Sequence, residues 1–482
     1  MVKITVKKSQ LNGKISCPPS KSYSHRAIVI STLSNGLSKL ENVLLSRDTI
    51  ATINCCKLLG KTIETIPLND GDDLSLNNVG NLKISGNGGR LGFNTPEDVL
   101  NAENSGTTIR LLTSVSAFVN KGFTILTGDK SLRKRPMGDL IDSLNQLGVK
   151  CFSSKSCNTP PLIVKGGGMH GGEAKINGQI SSQFISSLLL SSIYAKTKVT
   201  IKVLGTQVSK PYILSTISIM KKFGIEIKNN TYDLNNNQYI SNPLLQKKTF
   251  YNRDSCIIPT PSFDGTKNNI VTELYEIPFE KDYLPTTFTI PGDFSTAALL
   301  LSSAILSEGE LIVSNLDFTL PQGDANIVNI LKEMGADIVE NKIKGTIKVV
   351  GNRLLEGGKF DLRNTPDLLP VLSILSLKCK NPVEITGISH ARYKETDRVA
   401  IIASELVKFG AEIKENFDSL FIKPPSKIKN AIINSYDDHR LFMAFFIAAL
   451  ASGESTIDGS ESVDVSYPRF IDEMKNLGAN VI

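Results

Sequence analysis

Helix endings repeat along this chain, and that repetition limits its fold more than any other feature. The segments CCKLLGKTIE, DSLNQLGVKC, SIMKKFGIEI, ILKEMGADIV, ELVKFGAEIK and DEMKNLGANVI each read as an amphipathic helix closed by glycine, usually followed by a short apolar strand. The closing residues are Gly60, Gly148, Gly224, Gly335, Gly410 and Gly478. A glycine just past a helix supplies the left-handed cap that lets the chain turn back. A second series runs ahead of the first: polar clusters open apolar helical runs at Ser20, Gly106, Ser182, Asp293, Asp367 and Asp438. From each opening to its closing glycine the separations are 40, 42, 42, 42, 43 and 40 residues. One supersecondary unit used six times accounts for both series. Each unit should hold a helix with a polar start, strands, and a second helix with a glycine stop. Its helices should bury their apolar faces inward against sheets.

Successive openings are 86, 76, 111, 74 and 71 residues apart. The excess in the third step falls at about 229–283, where NNTYDLNNNQYISNP reads as a polar loop or partly ordered insertion. It separates three units from three. The chain is therefore expected to be α/β with two domains: 20–290 as one lobe, and 1–19 with 291–482 as the other. The first strand, KITVKK, precedes the first unit and is available to the other half.

Composition narrows the class. At 482 residues, 40% apolar and 21% charged, this is an ordinary folded, soluble chain long enough for two cores. The net charge of +7 suits small anionic substrates. No Lys/Arg block with interleaved aromatics marks a nucleic-acid surface, so no nucleic-acid partner is expected. MVKITVKKSQ lacks the apolar core of a signal peptide, and Leu441–Ala451 is too short to span a bilayer. No membrane partner is expected, and the reading is cytoplasmic. Seven cysteines without metal-ligand spacing fit reduced thiols, and four histidines argue against zinc or haem. GGGMHG (166–171) fits a glycine fingerprint but does not open a helix, so it reads as a turn.

The helix openings carry the chemistry. Helix N-termini offer free N–H donors and partial positive charge, so a cleft lined by six of them would attract anions. The first half adds Lys21, Ser22, Arg26, Asn104, Thr107, Arg110, Ser181, Ser182 and Gln183, which together make a phosphate-and-hydroxyl grip. The second half adds Asp293, Asp367, Asp438 and Arg440, with the carboxylates that acid–base work needs. Serine, threonine and aspartate are also ordinary helix caps, but capping does not explain the cations within one turn of Ser20, Gly106 and Asp438. Two further segments are densely charged: LTGDKSLRKRPMGDLI, and HARYKETDRVAIIASEL, where Lys394 and Arg398 are expected to share one face of a helix and Glu395 to project away from both.

In order along the chain, PSKSYSHRA, NSGTTIR, LTGDKSLRKRP, SSQF, SKPY, PGD, KETDR and DDHR together resemble the 5-enolpyruvylshikimate-3-phosphate synthase (3-phosphoshikimate 1-carboxyvinyltransferase) family. The resemblance covers nearly the whole chain except the insertion. It implies two domains, each of three βαβαββ units, in an inside-out α/β barrel arrangement with a cleft between the domains. It implies a monomeric enzyme that needs no cofactor or metal. Its substrates would be shikimate 3-phosphate and phosphoenolpyruvate, with phosphate released on the way to chorismate and the aromatic amino acids. Carried over, Asp367, Glu395 and Lys21 would be catalytic. Shikimate 3-phosphate would be held by Lys21, Ser22, Arg26, Ser181, Ser182, Gln183, Ser209, Tyr212, Asp367 and Lys394. Phosphoenolpyruvate would be held by Lys21, Asn104, Gly106, Arg135, Gln183, Arg398 and Arg440. Arg135 is preferred to Arg133 for this contact. Val465 stands where many members carry a lysine, and His390 where some carry an asparagine. The same fold also serves transfer to a nucleotide sugar, but that activity would need a reactive loop cysteine that Cys151 and Cys157 do not match.

Overall fold

The computed structural model describes residues 2–66, 78–233, 238–242 and 271–482. Twelve α-helices form among them: α1 (Lys21–Leu33), α2 (Arg47–Leu58), α3 (Gly106–Val115), α4 (Gly138–Gln146), α5 (Ser182–Ser191), α6 (Lys210–Lys222), α7 (Phe294–Leu306), α8 (Ile327–Glu333), α9 (Leu369–Leu375), α10 (Arg398–Leu406), α11 (His439–Ala449) and α12 (Phe470–Asn476). Odd-numbered helices open the six units and even-numbered helices close them. All six closing glycines have positive φ, from +78° at Gly335 to +116° at Gly478, so each even helix ends in the left-handed turn its glycine allows. One strand, rather than several, lies between the two helices of each unit. Five opening helices are capped by a side-chain oxygen that accepts a first-turn N–H, from Ser20, Ser105, Ser181, Asp293 and Asp438. In the fifth unit a 3₁₀ turn, Pro366–Leu368, precedes α9, so Asp367 stands outside the helix.

Units two and five lay their strands in the spatial order first, second, fourth, third, and in units one, four and six a borrowed strand fills one place of the same order. Gly358–Asp361 runs parallel to Val383–Thr386, which pairs antiparallel with Ser419–Lys423, and that strand in turn pairs with Glu412–Glu415. A parallel pair needs a crossover, and the opening helix supplies it. Three units borrow a strand from a distant part of the chain. Thr287–Thr289 completes the first sheet, Asn12–Ser16 joins Glu310–Ser314, and Lys3–Lys7 lies between Glu454–Asp458 and Asn480–Val481. Among the described residues the six sheets stay separate and close no strand barrel.

Every residue of α3, α7 and α11 is buried. Serines let neighbouring helices approach closely: Ser114 Oγ meets Ser187 Oγ across α3 and α5, and Ser187 Oγ donates to the Arg110 carbonyl. Two apolar cores result. One holds Val6, Leu11, Ile15 and Cys17 together with residues from Phe294 to Ala479; the other runs from Tyr23 to Ile290. The chain passes between them twice, side by side, with Ser20 N donating to Pro291 O and Asp293 N to Pro18 O. The fold is thus two domains of three βαβαββ units.

The polar stretch after α6, expected as a polar loop or partly ordered insertion, is partly sheet. Lys228–Asp233 pairs antiparallel with Gln238–Asn242 and with Val271–Ile277, giving the third unit a fifth strand. An edge hairpin is held by backbone hydrogen bonds, so its asparagines are no obstacle. Of the expected insertion, 234–237 and 243–270 lie outside the described residues.

Candidate active site

Three helix openings of the first domain converge on one cleft. α1 presents Lys21, Ser22 and Arg26; α3 presents Gly106, Thr107 and Arg110; the start of α5 presents Ser181, Ser182 and Gln183. Ser209, in the left-handed conformation before α6, and Tyr212 join them. From the second domain come Asp367, His390, Lys394, Glu395, Arg398 and Arg440. The cleft is lined by seven cationic side chains against three carboxylates, Asp48, Asp367 and Glu395.

The cations differ in how far they are neutralised. Lys21 Nζ sits 3.0 Å from Asp48 Oδ2, and its backbone N–H donates to Asp293 Oδ2 at 3.1 Å from the other domain. Arg26 is 1% exposed and bonds only neutral groups: Thr216 Oγ1 at 2.7 Å, the Ser22 and Tyr212 carbonyls, and Ser186 Oγ. Arg110 Nη1 donates to Gln183 Oε1 at 2.5 Å, and Gln183 Nε2 to Thr107 Oγ1. Burial pushes Arg26 down to about 10; burial and then the neighbouring Arg135 push Arg110 down to about 9. A buried guanidinium without a counter-charge is costly, and a bound anion removes that cost.

In the second domain the carboxylates share one guanidinium. Arg398 bonds Asp438 through Nε at 2.8 Å, Asp367 Oδ1 through Nη1 at 3.1 Å, and Glu395 Oε2 through Nη2 at 2.7 Å. Asp367 also meets Arg440 Nη2 at 3.0 Å and Lys394 Nζ at 3.9 Å, and its Oδ2 lies 3.2 Å from Tyr212 Oη. Glu395 lies 3.9 Å from Arg135 Nη1 across the cleft. Burial raises both carboxyls, but the cations outweigh it. Arg440, Lys394 and Arg398 hold Asp367 well below the usual carboxylate range, and Arg398 with Arg135 does the same for Glu395. Burial, opposed by Asp367, lowers Lys394.

The structure brings every expected contact residue to this cleft except Asn104, which sits at the adjoining mouth and reaches it through Arg135 Nη2, 2.8 Å from Asn104 Oδ1. Arg135 is 6% exposed and faces the cleft, whereas Arg133 is solvent-exposed. Val465 is buried in a 3₁₀ segment, Ser460–Val465, away from the cleft. Lys394 and Glu395 do not share a helix with Arg398. α10 begins at Arg398, capped by Asp397, because the Asp397 carboxylate accepts Ala400 N–H; Lys394 and Glu395 lie in the bend before it and line the cleft. Glu395 consequently bonds Arg398 rather than projecting away from it. Sequence reasoning missed Asp48 and Tyr393; Asp48 follows the cap of α2 and reads locally as an ordinary first-turn acid.

A model of the family described as EPSP synthase (3-phosphoshikimate 1-carboxyvinyltransferase) matches residues 5–242 and 267–474. The chain is 39% identical to the 3-phosphoshikimate 1-carboxyvinyltransferase of Nitrosopumilus maritimus over 480 residues, covering 100% of this chain and 99% of that one. It is 38% identical to that of Methanocaldococcus jannaschii, covering 99% and 98%. Its fold matches a solved EPSP synthase from Acinetobacter baumannii with TM-score 0.74 at 24% identity, covering 100% and 99%. The chain belongs to the EPSP synthase (3-phosphoshikimate 1-carboxyvinyltransferase) family.

Proposed function

We propose that this cleft transfers the enolpyruvyl group of phosphoenolpyruvate to the 5-hydroxyl of shikimate 3-phosphate, releasing phosphate. The carrying observation is the surplus of buried cations, contributed by both domains, around two carboxylates tied to one guanidinium. Each substrate carries a phosphate and a carboxylate, and their mutual repulsion must be offset before they can react. Lys21, Ser22, Arg26, Ser181, Ser182, Gln183, Ser209, Tyr212 and Lys394 hold shikimate 3-phosphate. Asn104, Gly106, Arg135, Gln183, Arg398 and Arg440, with Lys21, hold phosphoenolpyruvate.

Asp367 takes the proton of the attacking hydroxyl as oxygen bonds to C2, and Glu395 places a proton on C3. The adduct then returns a proton from C3 to Glu395 and expels phosphate, which takes up the hydroxyl proton, leaving the enol ether. Both carboxylates are ionised before substrate arrives, because the cations hold them so. Once substrate anions share Arg440, Lys394, Arg398 and Arg135, the proton affinity of both rises; Glu395 takes up a proton from water before it protonates C3, and Asp367 becomes able to receive the hydroxyl proton. Residues 20–290 and 1–19 with 291–482 act as two bodies that close on the substrates and exclude water. One chain completes the cleft, which supports a working monomer. Free thiols at the described cysteines fit the cytoplasm. Mixing the protein with both substrates should release inorganic phosphate. Release with a nucleotide sugar in place of shikimate 3-phosphate, and none with shikimate 3-phosphate, would overturn the reading.

A further inference from the structure

A second acid stands behind Asp367. Asp324 lies in the 3₁₀ turn Gly323–Asn326 and is 3% exposed. Its Oδ2 is 2.9 Å from Tyr212 Oη, and Tyr212 Oη is 3.2 Å from Asp367 Oδ2. Ser295 Oγ also donates to Asp324 Oδ2, while Asp324 Oδ1 is buried with no partner among the described residues. The segment leading into the turn is tied to the first domain: Pro321 O accepts from Tyr23 Oη at 3.0 Å and from Ser215 Oγ at 2.5 Å. A phenol has one proton and cannot donate to two carboxylates at once. The shorter contact marks Asp324 as the acceptor, and the longer one leaves Asp367 facing a lone pair of Oη.

We propose that Asp324 ends a proton relay: the proton that Asp367 takes from the substrate hydroxyl passes through Tyr212 Oη to Asp324 Oδ2. As Asp367 gives its proton to Oη, Oη gives its own to Asp324. Tyr212 is unchanged, Asp367 returns to a carboxylate, and Asp324 becomes a neutral acid. The proton goes back the same way as phosphate departs and accepts it. Asp324 touches no reacting atom and is a positioning residue rather than a catalytic one; the inference rests on the function proposed above.

Electrostatics agree with the geometry. Facing Asp324 are Asp367 and Tyr212, with Arg440 further off; α7 carries Ser295 and no charged side chain along its length, and α8 carries Lys332 and Glu333 only in its last turn. Burial and then the charge of Asp367 push Asp324 up to about 7, so it can store a proton near neutrality, whereas the cations around Asp367 make it the weaker proton holder of the two. Burial and the two aspartates keep the Tyr212 hydroxyl protonated.

The relay needs Asp324 ionised before each turnover, so kcat should fall as pH drops through about 7. Asp324→Asn keeps polar atoms but cannot take the proton. It should lower kcat about 10-fold or more, leave KM for shikimate 3-phosphate within a few-fold, and abolish that acid limb. Ser295→Ala removes a donor that favours the ionised form and should move the limb to higher pH; it decides the matter if Asp324→Asn does not fold. Wild-type kcat in Asp324→Asn, a rise in KM alone, or an acid limb unmoved in Ser295→Ala would overturn the relay. Absence of phosphate release by the wild-type protein would instead overturn the function.

Discussion

Replacing Arg398 with methionine should unbalance the second domain in a way that depends on pH. Methionine fills the space of the arginine stem but leaves Asp438, Asp367 and Glu395 without their shared guanidinium. Asp367 keeps Arg440 and Lys394, and Glu395 keeps only Arg135 at 3.9 Å. Asp438, wholly buried, keeps the Thr396 hydroxyl and two backbone N–H groups but no cation. Removing one partner from a buried ion pair costs about 3–5 kcal/mol, mostly because the other charge is stranded. For a domain of this size that corresponds to a melting temperature lower by about 6–20 °C. The sign with pH follows from the carboxyls. Arg398 depresses Asp367 and Glu395 in the native protein, so its loss raises them. The folded variant then takes up protons as pH falls, and the deficit shrinks between about pH 8 and about pH 5. Scanning calorimetry at both pH values measures this. Lys359→Met, which breaks an exposed pair with Glu384 at 3.0 Å, should cost about 0–1 kcal/mol at either pH. An Arg398→Met loss no larger than that control, or equal at both pH values, would refute the account of the buried network.

Gly106→Ala should raise KM for phosphoenolpyruvate with little change for shikimate 3-phosphate. A Cβ there would lie 2.9 Å from Arg135 Nη1, which must retreat by a few tenths of an ångström; equal effects on both substrates in steady-state kinetics would contradict this. Lys21→Ala should weaken both substrates and lower kcat about 100-fold or more, and it strands Asp48, 3.0 Å from Lys21 Nζ; calorimetric titration and turnover together check this. Loss confined to one substrate would place Lys21 at a single subsite.

Much of the architecture was legible because it repeats. Glycine stops and polar starts are local signals, and local chemistry alone sets their geometry, as the positive φ at all six glycines bears out. What local signals do not carry is which distant strand completes a sheet. Nothing in TFT or NGKIS names its partner, and Ile432–Ile433 is two residues long. Polar composition hid the strand Lys228–Asp233, because backbone pairing to Gln238–Asn242 and Val271–Ile277 holds it without an apolar pattern. At the site, cations and hydroxyls near helix starts could be read one by one. The partnerships Lys21–Asp48, Arg26–Thr216 and Tyr212–Asp324 span 27 to 190 residues and follow only from packing. Helical periodicity placed Lys394 with Arg398, but the Asp397 cap starts the helix later and turns Glu395 onto the guanidinium.

The central claim is that Asp367, kept ionised by Arg440, Lys394 and Arg398, receives the hydroxyl proton. Single-turnover phosphate release by Asp367→Asn, with shikimate 3-phosphate binding followed by calorimetry, tests it most directly. The account predicts release slowed about 100-fold or more with binding held within a few-fold. Release at a near-native rate would contradict it.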